Sequence, residues 1–392
     1  WARDIRDSQL PDGMIPDLSP TYWPFYSENV TYPAAYLCVV DMLYNQYGDE
    51  EAVREHYPAM KKWIDYANER LVENDIVVKD VYGDWCMPPE SPEMIHSQDP
   101  ARVTDGRLVG TSFFYRLLNM MARFAAVAGH EEDIPAYLEQ AARVKEAYNR
   151  MFLNPETGQY ANNTVSAGLL SLVQGLVPDT LKQKVFDELV RRTEVDFDSH
   201  VSTGMIGMQF MRRGLSRYGR PDLALTLATN RTYPSWGYMI DRGATTIWEL
   251  WNGDTADPAM NSGNHLMQLG DLIAWEWENL AGIRADPAAP GFKHILMEPD
   301  FPQGLEWVDA SYESMYGTIG SHWKRTGGGL SWSVEIPANT TATLRVPASD
   351  VSQVEADGKP LAENPALTDV RASDGFVTFE AGSGSYRFLV GK

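Results

Sequence analysis

One carboxylate set among indoles is the part of this chain best suited to chemistry. The run Ile247-Trp248-Glu249-Leu250-Trp251 lies inside a longer stretch, YPSWGYMIDRGATTIWELWNGD from Tyr233 to Asp254, and MNSGNH follows at 260–265. In an extended segment Ile247, Glu249 and Trp251 share one side. Aromatic neighbours desolvate a carboxylate and favour its protonated form, whereas a nearby cation or hydrogen-bond donor restores the charged form. Arg242 and His265 are the candidates for that second role. Hydrolysis of a glycosidic bond needs a pair of carboxyl groups: one protonates the leaving oxygen, the other activates water or attacks carbon. Glu249 has the surroundings for one of these. The competing reading is structural, with Glu249 in a buried salt bridge to Arg242, His265 satisfied at a helix start, and the tryptophans as core.

Two further clusters pair polar groups with aromatic rings. In Tyr82-Gly83-Asp84-Trp85-Cys86-Met87-Pro88, Gly83 permits close backbone approach, the Asp84 carboxylate can accept two sugar hydroxyls, and Trp85 can floor a sugar subsite. A turn with a packed tryptophan is the alternative. In Trp23-Pro24-Phe25-Tyr26-Ser27-Glu28-Asn29, Trp23 and Tyr26 flank another carboxylate, Glu28, and the alternative is an aromatic staple ahead of a helix. The chain has 12 Trp and 19 Tyr, enough for both large cores and sugar stacking. Pyranose C–H faces pack on aromatic rings while the hydroxyls seek polar side chains.

These clusters fall in long connections, 10–30, 74–107 and 230–262, between segments with helical periodicity. From Thr111 to Gly129, Phe113, Phe114, Leu117, Leu118, Met121 and Ala125 share a face; Thr111 or Ser112 can cap the start, and Gly129 supplies a left-handed stop. Asp133–Phe152 repeats the pattern with Tyr137, Ala141, Val144 and Tyr148. Glu50–Leu71 reads as two helices, with Pro58 in the first turn of the second. Further helices are expected over 31–47, 165–175, 179–193, 202–214, 219–229 and 263–281. Alternating short and long loops suggest a toroid of helical hairpins, with a layered bundle as the alternative. After Asp286 short alternating runs separated by Gly, Pro and Asp predict a β-sandwich, with strands at 311–316, 321–325, 330–336, 341–346, 376–380 and 386–390.

At 392 residues the chain is long enough for two domains. A formal charge of -21 argues against nucleic acid and against an anionic membrane surface, since both need a basic face. No apolar run reaches membrane-spanning length. Two cysteines, Cys38 and Cys86, make no disulfide framework, so the compartment stays open between cytoplasm and secretion. The seven histidines show no close metal-ligand spacing.

YPSWGY, RGATTIWELWNG and NSGNH, with GFKHILMEP opening the β region, resemble the inverting α-L-rhamnosidases of glycoside hydrolase family 78. DGMIPDLSP, YPAMKKWIDY and YGDW resemble that family too, and the likeness runs in order along nearly the whole chain. It implies an (α/α)6 barrel, incomplete at its N-terminus, over 1–285, and an antiparallel β-sandwich over 286–392. It implies that Glu249 is the general base, that His265 contacts sugar, that Trp85 builds a subsite, and that Asp84, Trp23 and Tyr26 lie in pocket loops. Trp236, Trp251 and Arg242 join them as candidate sugar contacts. The implied partner is a rhamnose-containing glycoside or polysaccharide; no cofactor or metal is required, and a homodimer is compatible with the sequence. The family's general acid sits in a segment reading roughly D-x-P-x-R-x-E-R, which these residues do not contain. The acid is therefore expected upstream of Trp1, and the chain alone is expected to be nearly inactive, because general acid catalysis contributes roughly 10²–10⁴ in rate.

Two other functions stay open at this point. A non-catalytic carbohydrate-binding fragment would use the same pocket without turnover. A different helical-barrel enzyme, such as a phosphorylase or lyase, would need cations: for phosphate the 241–265 stretch offers only Arg242, and the -21 charge suits an acidic polymer poorly.

Overall fold

Helices occupy roughly the first 280 residues of this computed structural model and strands dominate the remainder. The structure describes residues 1–23, 25–94, 97–256, 262–265 and 267–391, with the backbone alone at 267–269; Pro24, Met260 and Asn261 of the motifs above lie outside them. The chain divides into two compact units. The first comprises Trp1–Asp41 and Glu50–Asp271, the second Met42–Asp49 and Leu272–Lys392, so the boundary expected near 285 falls inside the second unit.

The helices are α1 (Ala2–Asp7), α2 (Ala34–Tyr47), α3 (Glu50–Arg70), α4 (Gly106–Ala128), α5 (Ile134–Phe152), α6 (Val165–Val173), α7 (Lys182–Arg191), α8 (Met205–Arg217), α9 (Pro221–Thr229), α10 (Trp236–Asp241) and α11 (Met267–Trp275). Helix α10 forms within the expected 230–262 connection, capped by Ser235, and two other helices differ from expectation for identifiable reasons. The segment read as two helices is the single helix α3, with Pro58 inside it. An interior proline costs a hydrogen bond and about 3 kcal/mol, but the buried face of Val53, Tyr57, Met60, Trp63 and Ile64 holds the helix through it. Helix α4 starts more than a turn before Thr111. Asp105 caps it by accepting from Arg107 N, and Gly106 lets the chain pass Asp80, whose carbonyl oxygen would lie 2.7 Å from an added Cβ. The Thr111 hydroxyl instead accepts from Val77 N at 2.9 Å, inside the core. Gly129, at φ +79°, closes the helix as expected.

Consecutive helices pack in pairs, α4 with α5, α6 with α7, and α8 with α9. The first members also touch one another: α4 packs on α6 and α6 on α8, while Asp41 of α2 pairs with Arg123 of α4. Two arginines of α8 hold α11. Arg212 and Arg213 bind the two oxygens of buried Asp271 at 2.8 and 2.9 Å, and the fully buried Arg212 guanidinium also lies 4.5 Å from the Trp236 ring centroid. The loops that lead into α2, α4, α6, α8 and α11 are cross-linked to one another by hydrogen bonds, so these helices present their N-termini at one end of the first unit.

In the second unit the sheet strands are β5 (Ile283–Ala285), β6 (His294–Met297), β7 (Trp307–Ser314), β8 (Gly317–Thr326), β9 (Gly329–Val346), β10 (Val354–Ala356), β11 (Lys359–Pro360), β12 (Leu367–Ser373) and β13 (Phe376–Val390); β1–β4 are two minute hairpins, Val72–Glu73 with Ile76–Val77 and Leu153–Asn154 with Gln159–Tyr160. The runs expected at 330–336 and 341–346 are halves of one strand, β9, and those at 376–380 and 386–390 are halves of β13. The first half of β9 pairs with β8 and the second half with β6, while the β9–β13 register shifts between Gly382 and Gly384. Such an irregularity bends a strand and lets it serve both layers of a sandwich. Pairing is antiparallel except between β6 and β9. Between the layers lie Trp323, Trp332, Leu344, Phe379 and Phe388; the Trp323 indole donates to Leu280 O at 2.7 Å and the Trp332 indole to Ser321 Oγ at 3.0 Å.

Removing one partner of a buried ion pair leaves the other charge stranded, which costs about 3–5 kcal/mol. Asp271→Ala is therefore expected to lower the thermal midpoint of the protein by several degrees, far more than Glu55→Ala, whose partners Arg3 and Arg6 lie at the surface. Equal midpoints in parallel melts would contradict the structural role assigned to the Arg212–Asp271–Arg213 cluster.

Candidate active site

Glu249 sits in an irregular loop, and two backbone hydrogen bonds fix its orientation. Glu249 N donates to Ser262 O at 2.9 Å and His265 N to Ile247 O at 2.7 Å, which ties 247–249 to 262–265 as two rungs of a short ladder. The side chain is part of the same tie: Ser262 N donates to Glu249 Oε2 at 2.9 Å. Glu249 Oε1 faces His265 Nε2 at 3.9 Å, with 26% of the glutamate side chain and 22% of the histidine exposed. That distance is too long for a direct hydrogen bond, but a hydroxyl or water placed between them can reach both. His265 Nδ1 is buried without a partner among the described residues. The turn that follows depends on Gly253, because a Cβ there would come within 2.8 Å of the Trp248 ring. Beyond it, the Asn252 amide donates to Pro92 O at 3.2 Å and to Met94 O, anchoring this loop on the 88–94 loop.

An aromatic cluster lies within reach of the Glu249 charge. Trp85 stacks on Tyr32, with ring centroids 5.2 Å apart and planes 19° apart, and Tyr82 lies against both. The Glu249 charge reaches this cluster. It adds to burial in pushing the Cys86 thiol up to about 12, and it contributes to the raised pKa of Tyr32, after burial, Tyr82, Asp17 and Cys86. The described parts of the 10–33, 78–105 and 242–265 loops are thus brought together although they are far apart in sequence.

Two carboxylates on one turn hold the cluster in place. Asp80 accepts from Val30 N (3.1 Å), Thr31 N (3.3 Å) and Gly83 N (3.1 Å), joining the turn to the start of α2. Asp84 accepts from Ser166 Oγ of α6 and from Gly204 N (3.0 Å), Ile206 N (2.9 Å) and Gly207 N (3.1 Å) at the start of α8. A third carboxylate, Asp17, accepts from Ser27 Oγ (2.6 Å), Asn29 Nδ2 (2.7 Å) and Tyr82 OH (2.8 Å).

Several sequence expectations change in this light. Asp84, expected to meet sugar hydroxyls, is 3% exposed and its oxygens face four protein donors, so it is internal. Trp251 and Trp236 are core residues, 1% and 5% exposed, packed edge to face with centroids 5.1 Å apart; neither offers a face for stacking. Arg242, expected beside Glu249, pairs with Asp254 at 3.6 Å and lies over Tyr238 at 5.2 Å; the Asp254 carboxylate is nearer to it in the fold. Trp23 is 69% exposed, with Tyr22 as its ring neighbour. Tyr26 is half-buried and its hydroxyl donates to Ser8 O at 2.7 Å. Glu28 is exposed and bound to Lys79. Glu249 and His265 face each other, and the Glu249 charge reaches Cys86, the neighbour of Trp85. Tyr32, Asp17 and Asp80 were not singled out in the sequence, because nothing local marks a tyrosine stacked on Trp85, an aspartate bound to Tyr82, or an aspartate bound to Val30 and Thr31. Among the described residues no group of three or more His, Cys, Asp or Glu is placed to hold a metal ion, and no described helix is long and apolar enough to cross a membrane.

Comparison with known proteins identifies the family of the chain. The family model described as bacterial alpha-L-rhamnosidase 6 hairpin glycosidase domain matches residues 1–280, and the bacterial alpha-L-rhamnosidase C-terminal domain matches residues 282–359. An alpha-L-rhamnosidase of Streptomyces avermitilis is 31% identical over the whole chain, which spans 36% of that protein; one from an Alteromonas strain is 30% identical over 92% of the chain, spanning 39% of its length. The solved Streptomyces avermitilis alpha-L-rhamnosidase, complexed with L-rhamnose, superposes over all of the chain with a TM-score of 0.88, and that of Dictyoglumus thermophilum with a TM-score of 0.90 at 30% identity, the chain covering 36% and 43% of those structures. Carrying a six-hairpin helical domain followed by a β-sandwich, the chain belongs to the bacterial α-L-rhamnosidases of glycoside hydrolase family 78.

Proposed function

We propose that this chain forms the sugar-binding and water-activating part of an α-L-rhamnosidase that cleaves terminal α-L-rhamnose from glycosides or polysaccharides with inversion. The observation that carries the reading is the Glu249 carboxylate, partly exposed, oriented by Ser262 N, facing His265, and with its charge reaching Tyr32 and Cys86 of the Trp85 cluster. The family assignment and the rhamnose complex of the Streptomyces avermitilis relative support it.

In this mechanism Glu249, as the carboxylate, accepts a proton from a water molecule. The oxygen of that water attacks the anomeric carbon from the face opposite the leaving group, and the bond from that carbon to the leaving oxygen breaks. A second carboxyl group, about 6.5–9.5 Å from Glu249 in an inverting enzyme, supplies the proton that the leaving oxygen takes. The family likeness puts this acid in the D-x-P-x-R-x-E-R segment, which these 392 residues do not spell. His265 Nε2, 3.9 Å from Glu249 Oε1, is placed to share a sugar hydroxyl or the water with it. Trp85 supplies an apolar wall for a deoxy-hexose, whose C–H groups pack on an indole.

The test uses the chain within its natural flanking sequence and an aryl α-L-rhamnoside. Glu249→Gln is expected to lower kcat by roughly 10²–10⁴ while leaving L-rhamnose affinity close to that of the unaltered protein, and NMR of the first-formed sugar is expected to show the β-anomer. Turnover by Glu249→Gln at the original rate would remove the base from the mechanism, and an α-anomer first product would remove inversion. Binding of rhamnose with no turnover by the unaltered protein would favour a carbohydrate-binding role instead.

Loss of one aromatic wall is worth about 1.5 kcal/mol, or roughly tenfold in affinity. Trp85→Ala is expected to weaken L-rhamnose binding by about that factor in calorimetry, whereas an unchanged dissociation constant would place the sugar elsewhere.

A further inference from the structure

Asp84 lies next to the subsite tryptophan, yet it is fully internal, and its environment is specific. Four donors converge on its two oxygens: the Ser166 hydroxyl and the N–H groups of Gly204, Ile206 and Gly207. A carboxylate is acceptor-only with room for about four hydrogen bonds, so the match is complete. Three of those donors are the free N–H groups at the start of α8, a helix of 13 residues whose own N-cap residue, Gly204, has no side chain to offer. The cap comes from a residue 120 positions earlier. The positive end of the helix dipole favours that negative charge, and the hydrogen bonds oppose the effect of burial, which raises the Asp84 pKa.

The contact is locked from both sides. Trp85 O accepts from Met205 N at 2.8 Å. A Cβ on Gly204 would come within 2.2 Å of Trp85 O and 2.6 Å of Asp84 Oδ1, so only glycine permits this approach. The next residues toward the site are Trp85, stacked on Tyr32, and Cys86, held at φ +58° within the influence of Glu249. The backbone that carries the indole is therefore held on the start of α8 by the Asp84 carboxylate and by Trp85 O.

We infer that Asp84 is a positioning residue for sugar binding: by capping α8 from a distance, its carboxylate fixes the Trp85 indole beside Glu249. This rests on the rhamnosidase reading for its kinetic consequences, but the placement of Trp85 can be measured without turnover. Asparagine at 84 would turn N–H groups toward N–H donors, so the turn must shift.

The experiment compares Asp84→Asn, Trp85→Ala and the double variant, with the chain in its natural flanking sequence. Asp84→Asn is expected to raise KM for an aryl α-L-rhamnoside about tenfold, the full loss of an aromatic wall, with a smaller effect on kcat. Because Asp84 acts through Trp85, the double variant is expected to lose no more in KM than Trp85→Ala alone. Additive losses, or a KM for Asp84→Asn equal to the original, would overturn the proposal, since a merely structural cap would add its cost to that of the indole. Acrylamide quenching, with the Trp85→Phe protein subtracted to isolate this indole, is expected to increase on Asp84→Asn; unchanged quenching would also overturn it. Should Asp84→Asn fail to fold, Ser166→Ala, which removes one donor of four, is expected to show the same non-additivity with a KM rise of a few fold, and additive losses there would overturn the proposal in the same way. If the unaltered protein does not hydrolyse the rhamnoside, the rhamnosidase reading fails by itself, and the quenching comparison still decides the role of Asp84.

Discussion

Helix ends that meet at a pocket carry backbone N–H groups with no intrahelical partner, and buried ones must be satisfied from elsewhere. In this protein the turn 80–84 does so twice. Asp80 faces the segment leading into α2, and Asp84 faces the starts of α6 and α8. Two aspartates four residues apart, bound to different partners, thereby join the starts of α2, α6 and α8. The chain between them is left little freedom, and Tyr82, Gly83 and Trp85 take the positions this dictates. Gly83, at φ +57°, and Gly106 are small because the turn and the start of α4 pass at backbone contact.

The acidic side chains of the site region divide by exposure into distinct duties. Asp84 and Asp17 are internal, and they and the half-buried Asp80 spend their lone pairs on protein donors, Asp17 through Ser27, Asn29 and Tyr82. Glu249 is partly exposed and borders solvent. A carboxylate whose lone pairs are taken up by fixed protein donors has none left for a ligand, whereas one that borders solvent beside an imidazole is open to water. Residue type alone does not make this distinction, since all four are acids in loops of similar composition.

The tryptophans divide in a comparable way. Trp236 and Trp251 pack edge to face in the interior, with Arg212 over the former, and their burial stiffens the base of the 236–265 segment. The Arg212–Asp271–Arg213 cluster then ties α8 to α11, the helix that follows His265. The loop bearing Glu249 is thus held at its start by buried indoles, across its middle by Asn252 on the 88–94 loop, and near its end by a buried ion pair.

Much of this was legible in the sequence. Apolar spacing at α4 and α5, the glycine stop at 129 and the shift to alternation after 286 follow from periodicities of 3.6 and 2, which are local properties of a chain. The motif around Glu249 and His265 was legible because its residues lie within one short stretch. Tertiary structure decided what locality cannot express. It made α3 one helix through Pro58, because a buried face outweighs a lost hydrogen bond, and it joined pairs of expected strands into β9 and β13. It sent Asp84, Trp236 and Trp251 inward and left Trp23 outside, and it gave Arg242 to Asp254. Each of these outcomes depends on which distant donor, ring or charge is brought within a few ångströms, and that proximity is set by the packing of helices from separate parts of the chain.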